Sequence, residues 1–175
     1  MADPPAAPET GPETGPGTGE AGVAAGLRAK LRHRARVVEA VGALVLARLL
    51  LTLAPLSRWQ GSLGTATPPN GPMPGMVDDE TGRRARRAAR AVTQAVRQVP
   101  FEAKCLPQAM ALQWMLRRRR VPARLLIGVL PAADRDAGDG LHAWVSVGHE
   151  TVIGKLAKVH RALLALDTFR DPRTN

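Results

Sequence analysis

The spacing of hydrophobic positions along this chain shifts from three and four to two near its middle, and that shift orders its elements. From Leu27 to Leu56 the pattern is helical. It begins basic and becomes almost wholly apolar from Ala40, with Val41, Leu44, Leu49, Leu51 and Pro55 available for a buried stripe. The Gly, Pro, Thr and Asn of 61–75 cannot continue a helix. A second helix is predicted from Arg83 to Val99, where Ala85, Ala88, Ala89, Val92, Ala95, Val96 and Val99 recur at three and four behind an arginine face. Asp78, Asp79, Glu80 and Thr81 supply acids and a hydroxyl before its start, and Pro100 ends it. A third helix runs from Cys105 to about Arg119, and Val121-Pro122 breaks it.

Beyond that break the period becomes two. Ala123 to Leu130 reads as a strand buried on both faces, Leu141 to Val147 as a second strand and Glu150 to Ile153 as a third. Gly148-His149 between the last two fits a two-residue hairpin with glycine where a type II′ turn prefers it. Helices followed by adjacent strands predict an α+β fold with a small antiparallel sheet rather than a parallel α/β one.

Boundaries follow from the same pattern. Residues 1–26 repeat Pro-Glu-Thr-Gly without apolar periodicity and read as a disordered tail. A basic then apolar helix occupies 27–60, a linker 61–80, the folded core 81–168 and a flexible C-terminus 169–175. The tail lacks the basic start and apolar centre of a secretory signal, so a cytoplasmic location is expected. The apolar run after Ala40 lasts about 16 residues, short of the roughly 20 that span a bilayer. Peripheral membrane contact stays open.

At 175 residues and 45% hydrophobic content the chain can close one core. Its formal net charge of +10 raises nucleic acid as a partner. With no tyrosine and two phenylalanines, the chain lacks the stacking platform of single-strand binders, and no nucleic-acid partner is expected. The arginines of 83–97 and 117–120 instead read as solvated helix faces, or as a surface for an acidic peptide or partner protein.

The candidate chemistry centres on the single cysteine, which excludes a disulfide framework and a multi-cysteine metal site. Cys105-Leu106-Pro107-Gln108 opens a helix, with Pro107 in the first turn where its missing N–H costs nothing. Free N–H groups and the positive end of the helix dipole favour a thiolate there. A lone cysteine is more often a small buried hydrophobe, so the histidine downstream carries the argument. On a strand of period two, His142, Trp144 and Ser146 share a face, and the helix carrying Cys105 is expected to pack against it, with the imidazole taking the thiol proton. Trp144 would screen the pair from water. The Cys105 N–H is the natural oxyanion donor, with Gln98 and Gln108 candidates by residue type. No Gly-x-x-x-x-Gly-Lys loop is present, and neither cofactor nor metal is expected.

The runs Cys-Leu-Pro-Gln-Ala-Met-Ala-Leu-Gln-Trp-Met-Leu-Arg-Arg-Arg at 105–119, Val-Pro-Ala-Arg-Leu-Leu-Ile-Gly-Val at 121–129 and Leu-His-Ala-Trp-Val at 141–145 closely resemble the lasso-peptide leader peptidases. These belong to the transglutaminase-like, papain-related cysteine protease superfamily, and the similarity covers residues 37–166. The resemblance implies a transglutaminase-like domain that removes the leader from a ribosomally made precursor peptide. Cys105 would be its nucleophile and His142 its general base and later acid. It also implies a partner cyclase resembling asparagine synthetase. Longer family members fuse a leader-recognition domain ahead of the protease; residues 1–36 are too short and simple for one, so a separate recognition protein is expected. Such peptidases often carry an aspartate about a dozen residues after the histidine to orient its ring. Here Ile153-Gly154-Lys155 occupies that stretch, leaving Glu150 and Asp167 as candidate third residues, with a backbone carbonyl as the other option. The competing reading is a catalytically silent transglutaminase-like scaffold that holds leader and cyclase together.

Overall fold

The computed structural model describes residues 18–73, 75–131, 140–155 and 160–169. Contacts divide the chain into two compact units, 1–32 and 33–175. In the first, the described residues 18–32 are helical, which shortens the expected tail. Ala21, Ala24 and Ala25 are strong helix formers and outweigh Gly22 and Gly26 there. Residues 1–17 of that tail, like 170–175 of the expected C-terminal one, lie outside the described residues.

The elements run α1 (Thr18–Leu53), α2 (Leu56–Leu63), β1 (Thr65–Thr67), α3 (Asp79–Val96), α4 (Cys105–Arg118), β2 (Arg124–Val129), β3 (Leu141–Val147), β4 (Glu150–Ile153) and β5 (Arg161–Asp167). Among the described residues, no helix is long and apolar enough to cross a membrane. The apolar run expected as one helix divides at Pro55, which acts as N-cap of α2. Within the second unit, α1 buries Val37, Ala40, Leu44 and Ala47, and half-buries Val41 and Leu51. Leu49, expected on that stripe, is exposed.

Helix α3 starts at Asp79, four residues before the expected Arg83, and ends at Val96 rather than Val99. Asp78 caps it by accepting a hydrogen bond from the Thr81 N–H at 2.7 Å. Hydrogen bonding to Thr81 holds the Asp78 carboxyl below its ordinary range. Helix α4 ends in a left-handed Arg120 at φ 54, with the Val121 N–H bonded to Leu116 O and the Arg120 N–H to Arg117 O, each at 3.0 Å. This is the Schellman pattern, with arginine where glycine is usual.

The five strands form one antiparallel sheet in the order β1-β5-β2-β3-β4. β2 lies between β5 and β3 and is buried on both faces, as its unbroken apolar run predicts. The β3–β4 hairpin turns at Gly148, whose φ is +57. β1 and β5 were not legible in the sequence: β1 is a short edge inside the linker, and Arg161–Asp167 has only leucine and alanine between its charged ends and no β-branched residue.

The core lies between helices and sheet. Met110, Leu112, Met115 and Leu116 of α4 and Ala88 and Val92 of α3 pack with Leu125, Ala143, Val145, Val147 and Leu166. Gln113 is fully buried among them, and its Nε2 donates to Leu63 O at 3.1 Å and Leu166 O at 2.8 Å. One side chain thereby fixes α4 against the end of α2 and against β5. A smaller cluster of Leu126, Trp144 and Ala165 lies on the reverse face of the sheet.

Candidate active site

Cys105 is the first residue of α4, preceded by Lys104 in an extended conformation that bends the chain into the helix. Its thiol is half-buried against the main core, and among the described residues it makes no hydrogen bond. Pro107 is buried in the first turn. Gln108, an oxyanion candidate, donates its Nε2 to Ala103 O at 2.6 Å and so ties the approach loop to the helix start. Gln98, the other candidate, lines a surface cavity of about 610 Å³ with His33, Arg90, Thr93, Gln94 and Arg97. Neither Cys105 nor His142 lines that cavity.

His142 is the second residue of β3. Its Nε2 lies 3.2 Å from Gly154 O. Its ring stacks on Trp144 at 6.3 Å and 21° and sits 5.4 Å from the ring of His160, which meets Trp144 edge-on at 6.4 Å. Room for Trp144 comes from Gly128, where a Cβ would lie 2.9 Å from Trp144 Cη2. His160 and Gly154 were not singled out by sequence reasoning. Gly154 occupies the stretch where an aspartate was sought, but a backbone atom leaves no trace in residue type.

The expected packing of α4 on the His142 face is corrected. Ala143, Val145 and Val147 alternate with His142, Trp144 and Ser146 along β3, and it is the first set that shares the helix-covered core. The reason is desolvation: the wholly apolar face goes under the helices, and the face carrying imidazole and hydroxyl goes to the reverse side. Ser146 there lies 3.4 Å from the Thr151 hydroxyl. Cys105 packs at the margin of the helix-covered core, His142 contacts Trp144, and among the described residues no hydrogen bond joins the two.

Both carboxylates considered as third residues are engaged elsewhere. Glu150 pairs with Arg86 at 2.6 Å in an exposed contact. Asp167 is 4% exposed and holds Arg124 in a two-point pair, Nε to Oδ1 at 2.6 Å and Nη2 to Oδ2 at 2.8 Å. The same guanidinium donates to Gly71 O at 2.7 Å and Pro72 O at 2.6 Å, pinning the linker over the sheet. Both Asp167 oxygens are thereby engaged with Arg124, whose guanidinium also holds the linker.

The arginine surface is partly self-neutralised. Glu80 accepts from Arg83 and Arg84, which holds its carboxyl below the ordinary range. Glu39 is paired with Arg119 and Arg118. Burial raises the Glu39 carboxyl, but the Arg119 hydrogen bond and the charges of Arg119, Arg118 and Arg36 together outweigh it, and the group titrates below its ordinary range. Among the described residues, no three His, Cys, Asp or Glu side chains converge as metal ligands.

A helix that opens on a thiol, laid on an antiparallel sheet whose second residue on one strand is histidine, defines an α+β domain of the cysteine-protease-like kind. The chain belongs to the transglutaminase-like superfamily, whose sequence profile matches residues 43–164. No curated protein and no solved structure matches it.

Proposed function

We propose that this protein is a cysteine peptidase that removes the leader from a ribosomally made precursor during lasso-peptide maturation, with Cys105 as nucleophile and His142 as base and acid. The observation that carries this reading is Cys105 at the first position of α4 within a transglutaminase-like domain, its thiol half-exposed. The thiol proton passes to His142, the thiolate attacks the scissile carbonyl, and the Cys105 N–H receives the developing oxyanion. Imidazolium then protonates the leaving amine, and water releases the acyl group. In substrate-free enzymes such hydrogen bonds are often open and tighten when substrate binds. A cyclase and a separate leader-recognition protein complete the pathway, and Arg90, with the charge of Arg83, Arg84 and Arg87 that Glu80 alone does not balance, offers them or an acidic leader a surface.

The test is leader release from the precursor peptide, followed by mass spectrometry with the recognition protein present. Wild type is expected to cleave, and Cys105→Ala and His142→Ala are expected to lose cleavage by at least about a hundredfold. The lack of a hydrogen bond between Cys105 and His142 among the described residues favours a second reading, a silent scaffold for leader and cyclase. Leader binding without cleavage by the wild type decides for it.

A further inference from the structure

We infer that the backbone carbonyl of Gly154 is the orienting group of His142, so that the base is set by main chain where a carboxylate would otherwise be needed. This rests on the peptidase reading for its catalytic meaning, while the contact itself does not depend on it. A carbonyl oxygen can only accept a hydrogen bond, so the 3.2 Å contact requires Nε2 to carry the ring proton. The neutral ring then presents Nδ1 with its lone pair free. When Cys105 Sγ gives up its proton, that proton joins Nδ1, and the imidazolium keeps its Nε2–H on Gly154 O.

The position of this oxygen is set by a crowded, left-handed stretch of backbone. Gly154 has φ +74, in the left-handed region. A Cβ there would lie 2.6 Å from Ala143 O and 2.9 and 3.0 Å from Trp144 Cβ and Cα. Two of those three neighbours are backbone atoms and the third is a Cβ, and all three belong to the strand that carries His142. Position 154 thus admits no side chain, and a carboxylate placed on it would have to displace β3. Stacking on Trp144 and the nearby His160 ring restrict the imidazole from its other sides. Gly154 is a positioning residue that acts through its main-chain oxygen.

The experiment replaces the 154–155 peptide link with an ester, by installing the α-hydroxy analogue of Lys155 in the full chain. The Gly154 oxygen becomes a weaker acceptor, and no side chain is added at 154. Long-range proton–nitrogen correlation on histidine-labelled protein, assigned by loss of signal in His142→Gln, reads the ring directly. In wild type, His142 is expected in the Nε2–H tautomer with its proton shifted downfield by the bond. The ester should move that proton upfield and lower leader cleavage about fivefold, the size of one weakened hydrogen bond. An Nδ1–H tautomer in wild type, or ring signals unmoved by the ester in a folded protein, overturns the proposal. Ring signals that shift in a wild type that cleaves nothing leave the contact standing and refute the peptidase reading instead.

Discussion

Replacing Asp167 with alanine removes one partner of a buried ion pair and leaves the other in place. Arg124 is 3% exposed, so its guanidinium would keep its charge with only the Gly71 and Pro72 carbonyls as acceptors. Breaking a pair of this kind costs about 3–5 kcal/mol, because the remaining charge is neither solvated nor matched. For a domain of this size, each kcal/mol lowers the melting temperature by about 2–4 °C, so Asp167→Ala should melt roughly 6–20 °C below wild type. Removing both charges, as Arg124→Met with Asp167→Leu, eliminates the stranded ion. That variant should recover most of the loss, with a remainder of about 1–3 kcal/mol for carbonyls that lose their donors. Equilibrium urea unfolding, read by circular dichroism, gives both values. Asp167→Ala within about 0.5 kcal/mol of wild type would refute the structural assignment. So would an Asp167→Ala protein of normal stability that fails to cleave the leader, since that would restore Asp167 to the chemistry.

Gly154→Ala forces a Cβ to 2.6 Å from Ala143 O at a positive φ, and should cost about 2–4 kcal/mol in the same assay; a neutral effect would show that the β3–β4 end is not clamped. Arg120→Gly relieves the left-handed strain at the end of α4 and should stabilise by about 0.5 kcal/mol, so a loss of stability would contradict the Schellman assignment. Because the Glu39 carboxyl titrates below its ordinary 4.5 in the folded state, its contribution is complete above that pH and is lost as pH falls through the lower folded value. Glu39→Gln should therefore cost about 1–2 kcal/mol at neutral pH and flatten this acid limb; an unchanged pH profile would discount the pairing with Arg119.

Local signals were enough for much of the architecture. The alanines of Asp79–Val96, with Asp78 as cap, and the helix formers after Cys105 fix α3 and α4, because each segment's periodicity matches the face it must bury. The alternation in Leu141–Val147 likewise fixes β3 and the opposite faces of Ala143 and His142, and the placement of Cys105 at a helix start was legible from Pro107. The same alternation also carried the face of β3 that lies under α4, since Ala143, Val145 and Val147 are the set with no polar group to desolvate, but the pairing of Cys105 with His142 drew the expectation the other way. β5 was not legible: Arg161–Asp167 becomes a strand because β1 and β2 offer it hydrogen-bonding edges, a tertiary condition that overrides its leucine-rich helical preference. Asp167 reads in the sequence as a candidate third residue, and only the fold shows Arg124 lying across from it on β2 as its ion-pair partner. The partner of the His142 ring is the furthest from sequence of all, because a main-chain oxygen is present at every residue and only the folded geometry of Gly154 selects one.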